Sequence, residues 1–138
     1  MGRSVLLRRR TILVIEDDDD TREVISRLLE VLGAGVVVAR NGLEGLVQLE
    51  RCRPDAVLCD LAMPIMDGIE FARQMRRNPR YRRVLLIAVT GRETDADFMD
   101  TWGAGFDGHL VKPLTPEALE AVARRVRPHA AAETEAGA

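Results

Sequence analysis

The stretch Pro-Asp-Ala-Val-Leu-Cys-Asp-Leu-Ala-Met-Pro-Ile-Met-Asp-Gly, residues 54–68, decides the fold class. Its first half holds a short apolar run, Ala56–Cys59, which has the length of a buried strand and ends at the carboxylate of Asp60. Its second half contains Pro64 and ends at Gly68, a composition typical of a turn, and helical apolar spacing resumes at once after it. A buried strand, a turn and a helix in this order form the repeating unit of α/β proteins.

The same unit is found five times along the chain. The other apolar runs of strand length are Ile12–Ile15, Val36–Ala39, Leu85–Val89 and His109–Val111. Apolar side chains at helical spacing form stripes at Val24, Ile25, Leu28, Leu29 and Leu32; at Leu43, Leu46, Val47 and Leu49; at Ile69, Phe71, Ala72 and Met75; at Ala96, Phe98, Met99 and Trp102; and at Leu119, Val122, Ala123 and Val126. The pattern predicts a sheet of five parallel strands with helices on both faces.

Several residues are expected to begin or end the predicted helices. Gly33 is expected to end the first helix, Thr115 to cap the last helix and Pro128 to end it, while Asp19 or Asp20 is expected to cap the first. With 138 residues, the chain has the length of one domain. We expect an N-terminal extension over residues 1–10, one domain over residues 11–127 and a mobile tail over residues 128–138.

Composition and charge exclude several classes of protein. The chain carries 20 basic and 22 acidic residues, a net charge of −2, which argues against a nucleic-acid-binding protein. The arginines clustered between Arg73 and Arg83 are interpreted as a solvated helix end. Because the longest apolar runs are strand-sized, no membrane span is expected. The two cysteines, Cys52 and Cys59, are interpreted as reduced thiols of a cytoplasmic protein.

Polar side chains follow four of the five predicted strands. The acids Glu16 and Asp17 follow the first predicted strand, and the acid Asp60 follows the third. The hydroxyl of Thr90 follows the fourth, and the amine of Lys112 follows the fifth. The carboxyl ends of parallel strands meet at one edge of the sheet, where ligands of such folds bind. Clustered carboxylates favour a hard cation such as Mg²⁺. A carboxylate can also accept a phosphoryl group, whose oxygens a lysine and a hydroxyl would stabilise. Of the 20 basic residues, Lys112 alone is a lysine.

Read in order, four blocks of sequence resemble the receiver domain of two-component response regulators. The blocks are residues 12–17, 54–68, 88–91 and 103–113, and the last of them contains His109 and Lys112. The resemblance covers residues 11–127 and fits either a free-standing regulator or the receiver of a hybrid histidine kinase. It implies a flavodoxin-like (βα)5 fold with strand order 2-1-3-4-5, and a Lys112–Pro113 peptide bond in the cis form.

The resemblance also implies a role for each site residue. Asp60 would accept a phosphoryl group from a sensor histidine kinase or a histidine phosphotransfer protein. Mg²⁺ would be held by Asp17, Asp60 and the backbone carbonyl of Ala62, with Glu16 acting through water. Thr90 and Lys112 would bind the phosphoryl oxygens, and His109 stands where the family has its switch aromatic. The signal would leave through a downstream protein that binds near Phe98 and Trp102, and the same face, made of the predicted fourth helix, fifth strand and fifth helix, could form a homodimer.

Two other functions compete with this interpretation. The first is an interaction module that works without phosphorylation. The second is a phosphohydrolase similar to haloacid dehalogenases, because Asp17–Thr21 matches that family's nucleophile motif. That family needs a later acidic pair on a strand, whereas Glu117 and Glu120 fall on a predicted helix. The receiver interpretation predicts no enzymatic activity beyond the chain's own phosphorylation and slow dephosphorylation.

Overall fold

The computed structural model describes residues 5–91 and 102–128, which form one parallel sheet with helices on both faces. The strands are β1 (Thr11–Ile15), β2 (Gly35–Ala39), β3 (Ala56–Asp60), β4 (Leu85–Thr90) and β5 (Gly108–Val111). Their order in the sheet is β2-β1-β3-β4-β5, and every neighbouring pair is parallel. The predicted strands and their order are therefore confirmed.

Within the described ranges, three α-helices and one 3-10 turn lie between strands, and one further α-helix follows β5. They are α1 (Asp19–Val31), α2 (Gly42–Cys52), α3 (Gly68–Arg77), the 3-10 turn Pro79–Tyr81 and the C-terminal helix Pro116–Ala123. Most of the predicted fourth helix lies outside the described residues, and this part contains Ala96, Phe98 and Met99. No described helix is both long and apolar enough to cross a membrane.

The strands bury apolar side chains on both faces of the sheet, as the continuous apolar runs predict. One core lies under α2 and α3 and includes Leu13, Val57 and Phe71. The other lies under α1 and the C-terminal helix and includes Val14 and Leu119. Burial of both faces makes the strands rigid, so the side chains at their ends are held in place.

The second core also contains Leu7, which the sequence assigned to an N-terminal extension. Its side chain is only 1% exposed, and its backbone N–H donates to the Leu32 carbonyl at 2.8 Å. The short segment before β1 therefore closes the end of the core below α1. Nothing in the alternation of strands and helices indicates this contact, because Leu7 belongs to no periodic element.

Helix α2 packs through its glycines and not through the full predicted apolar stripe. A Cβ on Gly45 would lie 2.5 Å from Ile15 Cδ1, so the helix backbone rests directly against the sheet. As a result Leu43 and Val47 face outward, with 52% and 48% of their surface exposed. The predicted apolar stripe of α2 is therefore only partly buried, and Val24 of the stripe on α1 is likewise exposed.

The helix termini agree with the sequence in part. Thr115 caps the C-terminal helix through its side chain, and Gly33 follows α1 with a left-handed φ of +102°, both as predicted. The cap of α1 is Asp18, not Asp19 or Asp20, because its carboxylate accepts from the Thr21 N–H. The C-terminal helix ends at Ala123, before the predicted stop at Pro128.

Candidate functional site

The register of the strands brings the predicted site residues to one edge. Ile15 is paired with Cys59, so the next residues, Glu16 and Asp60, are neighbours across β1 and β3. On the other side Asp60 is paired with Val89, next to Thr90. Thr90 is in turn paired with Val111, and Lys112 follows at the end of β5. The predicted convergence at the carboxyl edge is a direct consequence of this register.

Three carboxylates cluster there. One oxygen from each of Glu16, Asp17 and Asp60 lies within 4.8 Å of the others. Glu16 and Asp60 are buried, whereas Asp17 is exposed and borders solvent. Three oxygen donors of this kind match the ligand preference of a hard divalent cation that keeps some of its waters. The residues present therefore fit Mg²⁺.

Lys112 balances part of this negative charge. Its Nζ lies 2.8 Å from Glu16 Oε1 and 3.6 Å from Asp60 Oδ2. Partial burial of the lysine opposes its charge, but the bonds and charges of Glu16 and Asp60 outweigh this effect and raise the pKa of Lys112. The amine thus remains a cation that points at the two buried carboxylates.

The carboxyl group of Asp60 is strongly perturbed. Burial and the neighbouring charge of Glu16 raise its pKa from 3.8 to about 7, although Lys112 and a backbone bond from Ala62 act in the opposite direction. The pocket therefore disfavours a second negative charge when no cation is added. A carboxylate in this environment gains from any divalent cation placed beside it.

The loop after β1 is fixed by bonds from α1. Arg22 donates to the Glu16 carbonyl at 2.9 Å and pairs with Asp19, so its guanidinium ties the loop to the first turn of the helix. The Asp18 N–H donates to Glu16 Oε2 at 3.1 Å, and the Asp18 carboxylate is engaged as the helix cap. Asp17 is thus the acid of the run that is left to face the pocket.

The loop after Asp60 depends on a close approach. A Cβ on Gly68 would lie 2.3 Å from the Asp60 carbonyl oxygen, so only glycine lets α3 begin at this distance from β3. Met63 and Met66 are partly buried against the core beneath, as expected for residues that shape the turn. Ile65 lies at the outer tip, 79% exposed and with a left-handed φ of +71°.

The conformation of Ile65 leads to a stability prediction. A β-branched residue is strained at positive φ, whereas asparagine tolerates that region. We expect Ile65→Asn to stabilise the protein by about 1 kcal/mol. Thermal unfolding followed by circular dichroism should show a Tm higher by about 3–5 °C. Ile65→Val keeps the β-branch and should leave Tm unchanged; an equal rise in both variants would contradict the strain argument.

The remaining predicted site residues are placed as follows. Thr90 is buried at the end of β4, and His109 is half-buried on β5. The Lys112–Pro113 bond is cis, as the resemblance implied. Trp102 is 51% exposed, which is compatible with a contact surface, while Phe98 lies outside the described residues.

The fold and the site together define a class of protein. A flavodoxin-like sheet with an acidic cluster, a buried threonine and a lysine at its carboxyl edge has the arrangement that the resemblance to receiver domains implies. The family model of the response regulator receiver domain matches residues 12–124. The chain belongs to this family and is a receiver domain of two-component signal transduction.

Similar proteins agree with this assignment. The sensor histidine kinase CheAY of Helicobacter pylori is 40% identical over 106 residues, which cover 75% of this chain and 13% of that protein. The chain thus spans a small part of this relative. The chemotaxis protein CheY4 of Vibrio cholerae superimposes with a TM-score of 0.80 at 29% identity, covering 86% of this chain and 98% of that one.

A third similar protein bears on the metal. The receiver domain of the sensor histidine kinase PA1611 from Pseudomonas aeruginosa has a TM-score of 0.79 at 32% identity, covering 85% of this chain and 96% of that one. That structure holds a magnesium ion coordinated in its active site cleft. The acidic cluster of the present chain lies at the carboxyl edge of the same fold.

Proposed function

We propose that Asp60 is the phosphoacceptor of a two-component phosphorelay and that its phosphoryl donor is a phosphohistidine on a sensor histidine kinase or a histidine phosphotransfer protein. The observation that carries the proposal is the position of the Asp60 carboxylate, which lies within 4.8 Å of two further carboxylates and 3.6 Å from the only lysine of the chain. Such a set supplies a nucleophile, a cation site and a fixed positive charge.

We assign the cation site to Mg²⁺. Asp17, Asp60 and the backbone carbonyl of Ala62 would hold the ion directly. Glu16 would act through water, because Lys112 and the Asp18 N–H already occupy its two oxygens. When bound, Mg²⁺ supplies positive charge that offsets the charge of the phosphoryl oxygens.

The chain's own residues carry the transfer. One Asp60 oxygen forms the new P–O bond while the P–N bond to the donor imidazole breaks and its electron pair leaves with the nitrogen. The Lys112 amine, which the structure holds beside Asp60 Oδ2, pairs with a phosphoryl oxygen, and the Thr90 hydroxyl donates to another. His109, half-buried on β5, would move when Thr90 is drawn toward the phosphoryl group.

The surroundings of the pocket suggest where partners bind. An apolar groove of about 380 Å³ adjoins Lys112 and is lined by Val24, Ile25 and Leu114, so a donor helix could dock beside the acceptor. The exposed Trp102, together with Phe98, which lies outside the described residues, would form the surface for the downstream protein or for a second copy of the chain. We place the protein in the cytoplasm, where its two free thiols would stay reduced, and expect it to bind neither nucleic acid nor membrane.

Labelling of the whole chain tests the proposal. Incubated with acetyl phosphate and Mg²⁺, the protein should gain the mass of one phosphoryl group in intact-mass spectrometry, and EDTA should prevent the gain. A chain that takes up no phosphoryl group from either acetyl phosphate or a phosphorylated kinase would be an interaction module that works without phosphorylation. Catalytic turnover of a phosphate ester would instead indicate a phosphohydrolase.

The assignment of Asp17 to the cation leads to a second prediction. We expect Asp17→Ala to weaken Mg²⁺ binding by roughly tenfold or more, since water would replace a direct carboxylate ligand. Asp20→Ala is the matched control, because Asp20 lies in the first turn of α1. Mg²⁺ titrations followed by NMR amide shifts measure both. Equal losses in the two variants would mean that the acidic run acts only through its total charge.

A further inference from the structure

A second cleft lies at the amino ends of the strands, whereas Asp60 lies at their carboxyl ends. It is lined by residues before β1 and β3 and at the end of α2, and its volume is about 570 Å³. A strand of five residues is about 16 Å long, so this cleft is separated from the acidic pocket by the length of the sheet. No residue of the proposed phosphoacceptor site contributes to it.

Four arginines from two segments line the cleft, namely Arg9 and Arg10 before β1 and Arg51 and Arg53 at the end of α2. The single acid among the lining residues is Asp55, and its carboxylate accepts from the Thr11 N–H at 2.7 Å. The lining therefore has an excess of three positive charges in a chain whose net charge is −2.

Three of these arginines have no counter-charge among the residues that the structure describes. Within residues 5–91 and 102–128, no carboxylate pairs with the guanidinium groups of Arg9, Arg10 or Arg51. Arg9 also has a left-handed φ of +62°, a backbone strain that proteins tend to keep at binding sites. Unpaired guanidinium groups around one cavity repel each other, and an anion relieves that repulsion.

The size and the walls of the cleft narrow the choice of anion. Planar guanidinium groups match phosphate oxygens in pairs, and several of them together suit more than one phosphate. A single phosphate would fill little of 570 Å³, a volume typical of pockets for small organic ligands. Cys52 and Pro128 add apolar wall against which an organic group can pack.

We propose that this cleft binds a small organic phosphate of nucleotide size, with its phosphates on Arg9, Arg10 and Arg51. The proposal goes beyond the phosphorelay function and needs neither Mg²⁺ nor phosphorylation of Asp60. Ligand binding here would act on the amino ends of β1 and β3, away from the phosphoacceptor.

Titration calorimetry of the full chain with ADP tests the proposal, in EDTA and at about 150 mM salt so that weak surface attraction is screened. We expect saturable binding of ADP, weaker binding of pyrophosphate and none of adenosine. Arg51→Ala and Arg10→Ala should each weaken ADP binding about tenfold, the loss of one charge-assisted contact. Arg51 is exposed, so its variant should fold normally.

Arg80→Ala is the matched control, because Arg80 is exposed in an equally arginine-rich segment and does not line the cleft. Its ADP affinity should stay within twofold of the wild type. Absence of ADP binding at 1 mM would overturn the proposal, as would an equal loss in Arg80→Ala. Equal affinity for pyrophosphate and ADP would overturn the assignment of a nucleotide, and binding of polyglutamate in place of ADP would indicate an acidic peptide. Since Mg²⁺ is absent throughout, failure of this experiment leaves the phosphoacceptor proposal unaffected.

Discussion

Replacing Asp60 with Asn is expected to abolish phosphorylation and, in buffer without Mg²⁺, to raise the free energy of unfolding at pH 8. The first effect follows from removing the nucleophilic carboxylate, because the neutral amide of asparagine forms no stable acyl phosphate. The second follows from the environment of Asp60, because burial and the charge of Glu16 both disfavour the ionised carboxylate.

The direction of the pH dependence follows from the pKa values. The pKa of Asp60 rises from 3.8 to about 7 in the folded chain, so the folded state holds this proton more tightly than the unfolded state does. The stabilisation is complete below pH 3.8 and is lost as the pH rises through 7. The full linkage effect is about 4 kcal/mol; we expect about 2 kcal/mol, because water beside the pocket screens part of it.

Urea unfolding of the wild type and Asp60→Asn at pH 5 and pH 8, both in EDTA, measures this effect. The difference in favour of the Asn variant should be about 1 kcal/mol at pH 5, where Asp60 of the unfolded chain is already mostly ionised, and about 2 kcal/mol at pH 8. Asp20→Asn, which removes an exposed acid, should shift stability by less than about 0.5 kcal/mol at either pH. A phosphoryl label on the Asn variant would refute the assignment of Asp60.

Arg76→Ala is expected to lower the free energy of unfolding by about 3 kcal/mol, because it leaves a partly buried carboxylate without its counter-charge and removes a side-chain donor from several carbonyls. The Arg76 guanidinium donates to Asp107 Oδ2 at 2.8 Å and to the carbonyls of Tyr81, Val84 and Gly105. It thus joins the end of α3 to the segments that precede β4 and β5.

Thermal unfolding of this variant should show a Tm lower by roughly 10 °C. Arg76→Lys should recover little of that loss, since an ammonium group cannot reach acceptors in several directions as the planar guanidinium does. The neighbouring Arg77 is exposed, so Arg77→Ala is the control and should unfold near the wild-type temperature. Equal Tm values for Arg76→Ala and Arg77→Ala would show that the bonded network contributes no stability.

The sheet and the site could both be predicted from the sequence. The strands are visible as apolar runs, and the site residues follow directly after them. Five apolar runs mark the strands, and parallel pairing leaves their carboxyl ends at one edge, so Asp60, Thr90 and Lys112 converge whatever the details of the helices. The resemblance supplied the strand order and the cis bond. These features depend on short segments whose composition alone is distinctive.

What the sequence did not predict depends on contacts between distant segments. Arg76 resembles its neighbours Arg73 and Arg77 in sequence, and only the loop around Gly105 and Asp107 distinguishes it. Leu43 and Val47 fit a helical stripe, but the close approach of Gly45 to Ile15 turns both outward. A glycine on the inner face of a helix is the signal that could have revealed this packing.

Within residues 5–91 and 102–128, three acids cluster at the carboxyl ends of the strands and four arginines line a cleft at their amino ends, so these charges are separated along the strands although the net charge of the chain is −2. The resulting local field is negative at the phosphoacceptor pocket and positive at the arginine cleft. Such a field orients charged molecules before they touch and raises the rate of productive encounter at low ionic strength. A basic docking surface on the donor would therefore approach the Asp60 edge first, and added salt would slow its association.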